Sequence, residues 1–176
     1  MAFQILFVVE ADKKSRSDYI YIRSVLDRFF NFRLLTDVKI NAVFMGGKSK
    51  YQRNDVISEI NKQISAYSRT GKTHVVYCFD TDKYDTDPED KRAFTNEEKF
   101  CKENGYDFVW FCHDIEEVFL GKSVPNSDKT KLAIMYSQSN RVEKLKVEYL
   151  NSKTLARGKS NLIIVLEKYL KRYNKI

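Results

Sequence analysis

The chain has no apolar stretch approaching the roughly 20 residues that a helix needs to cross a bilayer, so no membrane partner is expected. Histidine is scarce, with only His74 and His113, and there are three cysteines, Cys78, Cys101 and Cys112. An odd number of cysteines without a CxxC pair excludes a disulfide scaffold. The histidines do not stand at a zinc-ligand spacing from these cysteines, which disfavours zinc. Cys78 and Cys112 fall in strand-like apolar runs, so buried, reduced thiols are expected. The opening residues MAFQILFVVEAD lack a basic leader, and their apolar run is short and closed by charge. They read as a first strand rather than a signal peptide, and a cytoplasmic location is expected. Internal repeats and low-complexity segments are also missing.

What is present is the material of one ordinary domain. The 176 residues are 43% hydrophobic and 14% aromatic, enough to bury a proper core. A net charge of +7 and a pI near 9.2 favour a polyanionic partner, although an ordinary basic protein fits the same numbers.

Hydrophobic periodicity then orders the chain. Ile5–Val9 and His74–Phe79 are short, continuously apolar, and rich in β-branched and aromatic residues, as buried central strands are. Val38–Met45 reads as a second strand ending at Gly46-Gly47, and Tyr106–Cys112 as a fourth. Helical spacing runs from Tyr19 to Phe30 and from about Arg53 to Tyr67. Lys83–Asp90 reads as an acidic loop, with Thr95 capping a helix to Glu103. A short helix follows the fourth strand at Ile115, with Asp114 as its N-cap. Residues 122–159 are Lys-rich and weakly patterned, and a last amphipathic helix spans about Ser160 to Leu170. Alternating strands and helices give an α/β fold, a parallel sheet of about four strands with right-handed crossovers.

The chemistry sits at strand ends. The first apolar run ends in Glu10, and the third strand ends in Asp80-Thr81-Asp82. Open α/β sheets bind ligands at the carboxyl ends of their strands. Three carboxylates delivered to one edge repel one another unless a cation lies between them, and the fitting cation is a hard divalent ion with oxygen ligands. A DxD alone in a loop is usually a solvated turn; Glu10 on a separate strand gives this one meaning.

An acid ending the first strand, a DxD ending a later one and an α/β frame between them resemble the Toprim domain of topoisomerases, bacterial primases, recombination mediators and OLD-family nucleases. The resemblance covers about residues 3 to 120. It implies a Toprim-like, Rossmann-like core over residues 1–121, with residues 122–176 as a partly helical C-terminal extension packing on the same domain. It further implies that Glu10 acts at the reacting phosphate while Asp80 and Asp82 hold Mg²⁺, or Mn²⁺ in its place. Ala11 stands where Toprim proteins usually have glycine, and alanine does not readily take a positive φ. Ser17-Asp18-Tyr19 and Ile115-Glu116 stand where the RloB-like branch has a Thr-Glu-aromatic segment and a Phe-Glu, which makes the implied metal set Glu10, Asp18, Asp80, Asp82 and Glu116. Glu117 is the alternative to Glu116, because consecutive helical residues point about 100° apart. OLD-type nucleases carry a late lysine that steadies charge on the scissile phosphate, and Lys159 is the candidate, placed at a helix N-terminus.

Phosphodiester hydrolysis fits these acids independently, since two ions about 3.5 to 4 Å apart serve both the attacking and the leaving oxygen. Lys13, Lys14 and Arg16 after Glu10, and Lys48, Lys50 and Arg53 after the second strand, are candidate contacts to nucleic-acid phosphates. Gly46-Gly47-Lys48-Ser49 is not a phosphate-loop signature, because Ala42 replaces the required glycine. His113 reads as a structural hydrogen-bonder rather than a base. The expected activity is that of a Mg²⁺-dependent nuclease on DNA or RNA, in a phage-defence or mobile-element setting, with a nearby-encoded ATPase as a candidate partner. The alternatives are a non-catalytic Toprim module that binds nucleic acid or a protein, and a maturase or nucleotidyl-transfer enzyme using the same acids.

Overall fold

Phe3–Val9 forms β1, and the sequence alone explains why it is central: every residue from Gln4 to Val9 is buried, as a strand covered on both faces requires. The structure, a computed structural model, describes residues 2–30, 35–139 and 141–173. After β1 come α1 (Ser17–Phe29), β2 (Val38–Phe44), a 3₁₀ turn (Lys48–Lys50), α2 (Asn54–Tyr67), β3 (Lys72–Asp80) and α3 (Pro88–Glu103). They are followed by β4 (Asp107–Cys112), α4 (Ile115–Leu120), α5 (Asn126–Gln138), α6 (Arg141–Lys144), α7 (Val147–Leu150), β5 (Lys159–Ser160) and α8 (Leu162–Leu166).

The strands form one five-stranded sheet in the order β2-β1-β3-β4-β5. β1 pairs in parallel with both β2 and β3, β3 pairs in parallel with β4, and β5 runs antiparallel to β4. The period-two alternation of the strands builds two cores. Ile5, Phe7 and Val9 face α1, α4, α5 and α8, whereas Leu6 and Val8 face α2 and α3. The chain therefore leaves β1 for one side of the sheet and returns to β3 on the other, making the β1/β3 boundary a topological switch point.

Several expectations need correction. The sheet has five strands rather than four, because the two-residue β5 is too short to leave a pattern. α3 begins at Pro88, not near Thr95. Asp87 caps it by accepting the N–H groups of Glu89 and Asp90, with proline at the first helical position, where its missing N–H costs nothing. Thr95 lies inside α3 and donates to the Lys91 carbonyl. The unpatterned segment after residue 122 holds α5, α6 and α7; α5 buries only Ala133 and Tyr136, so its apolar face is too narrow to read. Ala133, Tyr136, Leu150 and Leu162 nevertheless join the core formed by α1 and β1. The last helix is shorter than its apolar spacing suggests, spanning Leu162–Leu166, and Ser160 lies in β5. The three cysteines are free and buried, and no helix among the described residues is long and apolar enough to cross a membrane.

Candidate functional site

At the β1/β3 switch point, Glu10 leaves the end of β1 and Asp80 ends β3. Glu10 Oε1 accepts the backbone N–H of Asp80 at 2.8 Å. Asp80 Oδ1 in turn accepts the N–H of Ile115 at 2.9 Å, anchoring the start of α4. Asp18, in the first turn of α1, accepts the N–H of Ala11 at 2.9 Å and the Ser17 hydroxyl at 3.1 Å. Each acid thus fastens the backbone beside another acid or the next element. Ala11 has no positive φ, and Asp18 holds the turn after Glu10 by accepting the Ala11 N–H. Gly47, at φ 133°, does need glycine; its N–H donates to the Glu10 carbonyl at 2.9 Å and closes the β2 loop over the site.

These residues line a cavity of about 420 Å³ whose wall includes Glu10, Asp18, Gly47, Asp80 and Lys129. Glu116 lies behind Lys129, fully buried, with Oε2 2.9 Å from the lysine Nζ. That contact is short but off the hydrogen-bond angle, and neither Glu116 oxygen accepts a hydrogen bond among the described residues. Burial, followed by the charge of Asp18, pushes the Glu10 carboxyl well up from its ordinary value. Burial and then the charges of Glu10, Asp18 and Glu116 do the same to Asp80. Asp18 and Glu116 are raised mainly by burial. Lys129 is shifted up because the ion pair with Glu116 and the fields of Asp80 and Asp18 outweigh its burial. Four carboxylates gather around Lys129, with Lys48 Nζ acting on Glu10 and 3.4 Å from the Asp80 carbonyl, so negative charge is in excess and the protonated forms are favoured.

Not every expected residue reaches this cavity. Asp82 turns outward at φ 47° and pairs with Lys48 Nζ at 2.6 Å. The DxD is therefore split, with Asp80 in the cavity wall and Asp82 outside it. Lys159 lies in β5 opposite Cys112, not at a helix N-terminus, and does not line the cavity. The lysine that does so is Lys129 of α5, which sequence reasoning missed because α5 shows no apolar period. Glu117 is turned away and bound by Arg157, with His113 Nδ1 at 3.6 Å, so Glu116 is the glutamate on the cavity side. His113 Nε2 stands 3.1 Å from Asp85, in a structural role.

The basic candidates divide in the same way. Lys48 is tied to Asp82, Lys50 Nζ donates to the Gly46 carbonyl at 2.6 Å, and Arg53 makes two 3.0 Å hydrogen bonds to Asp55. Arg16 donates to the Lys13 carbonyl and lies over the Phe44 ring, 5.7 Å from its centroid. Lys13 and Lys14 are exposed on the loop whose Asp12 and Ser15 form the cavity rim.

The donors suit a hard divalent ion in kind, being carboxylate oxygens, two of them on a buried glutamate without a hydrogen bond. They do not suit it in position as they stand: among the described residues, no group of three carboxylate, histidine or cysteine side chains is arranged to hold one ion. The backbone N–H groups hold one oxygen each of Glu10, Asp80 and Asp18, so ion binding requires those side chains to turn. No protein-family model matches the chain, and no curated protein matches it significantly.

Proposed function

We propose that the chain is a Toprim-like phosphodiesterase that hydrolyses nucleic acid with Mg²⁺ or Mn²⁺. One observation carries this reading: Glu10 and Asp80, 70 residues apart in sequence, meet at the switch point of an α/β sheet beside Asp18, Glu116 and Lys129. Asp80, Asp18 and Glu116 would hold the ion, with Glu10 nearest the reacting phosphate. A divalent ion held by these residues would supply charge neutralisation at the phosphate and a water of lowered pKa. Lys129, rather than Lys159, would offset the charge that develops on the phosphate oxygens. Exposed Lys13 and Lys14 at the rim would meet the flanking backbone. A defence or mobile-element role follows from the Toprim resemblance.

Labelled DNA and RNA, single- and double-stranded, should be cleaved in Mg²⁺ or Mn²⁺ by the wild-type chain, and the Glu10→Gln and Asp80→Asn variants should lose that cleavage. No cleavage of any of these substrates with either ion would reject the nuclease reading. A second reading, a non-catalytic nucleic-acid-binding module, draws support from the way the acids accept the backbone N–H groups of Ala11, Asp80 and Ile115 and from the Lys129 ion pair, which leave a site able to stand without metal. Binding without cleavage would favour it.

A further inference from the structure

A second cavity, of about 750 Å³, opens on the far side of α4 from the carboxylates. Its apolar wall includes Phe119 of α4 and Leu145, and its rim carries Tyr149, which is 39% exposed despite its size. Arg141, Lys144 and Arg157 surround that wall. Arg141 and Lys144 stand three residues apart on the single turn of α6, so they share one face, and neither has an ion-pair partner among the described residues. Arg157 is fixed by Glu117 yet remains 73% exposed, with its guanidinium oriented by the buried carboxylate.

Arg157 also lines a third cavity at the carboxyl ends of β3 and β4, which it and Lys83 share with the carboxylates of Asp82, Asp87, Asp90 and Asp114. That acidic lining repels a phosphate backbone, so the basic cavity is taken by itself. Three cations around an exposed aromatic ring and an apolar wall match a phosphate backbone with an unstacked base. A duplex keeps its bases paired and could not place one against Tyr149.

We propose that this cavity binds a single-stranded segment of nucleic acid. A base stacks on Tyr149 against Leu145 and Phe119, and Arg141, Lys144 and Arg157 hold the adjoining phosphates. The assignment rests on the nucleic-acid reading above and names the form of its substrate, a single strand.

The test is binding without catalysis. Fluorescence anisotropy of a labelled 12-nucleotide single strand is measured in EDTA against the full chain. Tyr149→Ala should weaken binding about fivefold to hundredfold, and Tyr149→Phe should keep it. The Arg141→Ala/Lys144→Ala pair should flatten the slope of log K against log salt by about 1.4, the loss of two single-strand phosphate contacts. Thermal unfolding confirms that each variant is folded. Unchanged affinity in both Tyr149→Ala and the paired variant would overturn the proposal, as would tighter binding of the duplex form of the same sequence. Because no metal is present, a chain that binds in this way but never cleaves would sink the nuclease reading and leave the cavity assignment standing. Cleavage that survives in Tyr149→Ala with unchanged affinity would do the reverse.

Discussion

The carboxylate of Glu10 accepts the backbone N–H of Asp80 across the gap between β1 and β3. One acid therefore sets the position of the other, and burial followed by the charge of Glu10 raises the proton affinity of Asp80.

Stability should fall with rising pH in the absence of divalent ions. Glu10 and Asp80 keep their protons to higher pH folded than unfolded, so their contribution is complete below the ordinary carboxylate range near pH 4 and is lost as pH rises through their raised values. Glu97 of α3, pushed up to about 7 by burial, loses its contribution between about pH 4.5 and 7. Thermal unfolding in EDTA from pH 5 to 8 should show a declining Tm. Mn²⁺ at about 100 times its Kd should restore about 5–10 °C at pH 8. A Tm that is flat with pH and indifferent to Mn²⁺ would show that the acids are neither stressed nor ion-binding.

Lys129→Met should destabilise the chain by about 3 kcal/mol at neutral pH, because it leaves the fully buried Glu116 without its counter-charge. The cost should shrink at pH 5, where Glu116 takes up a proton more readily, and the Lys129→Met/Glu116→Gln pair should recover most of it. Urea unfolding of the three variants at two pH values measures the coupling, and an equal cost at both would contradict the ion pair.

Glu116→Gln and Glu117→Gln separate two neighbours that spacing alone leaves equivalent. The first should reduce metal-dependent cleavage at least about a hundredfold. The second should leave cleavage within about threefold while freeing Arg157, since Glu117 binds Arg157 outside the cavity. Rates under identical Mg²⁺ decide between them, and the reverse order would show that α4 rotates when the site is loaded.

Asp80→Ala and Asp82→Ala should differ as well. Asp80 shares the cavity wall with Glu10, so its loss should abolish Mn²⁺-induced stabilisation. Asp82 is half exposed, does not line the cavity and is paired with Lys48, so its loss should change Mn²⁺ affinity by less than about tenfold. Titration calorimetry with Mn²⁺ alone reads the difference, and equal loss in both would mean that Asp82 swings inward to join the ion.

The sequence by itself determined the central strands and the placement of acids at their ends. Continuous apolar runs such as Ile5–Val9 and Val75–Phe79 have no arrangement other than burial on both faces, and the residue that breaks such a run must surface at the sheet edge. Asp114 as the cap of α4 was equally readable, because a cap is a local arrangement of one side chain and the next few N–H groups. The tertiary structure alone decided which charged groups meet. Lys129 comes to Glu116 only because α5 packs on α1, a contact made through Ala133 and Tyr136 that leaves no period to read. Asp82 leaves the site because its backbone takes a left-handed turn toward Lys48, 34 residues earlier in the chain. Charged side chains carry no periodic signature of their own, so their partners are fixed by the packing of the apolar faces that carry them.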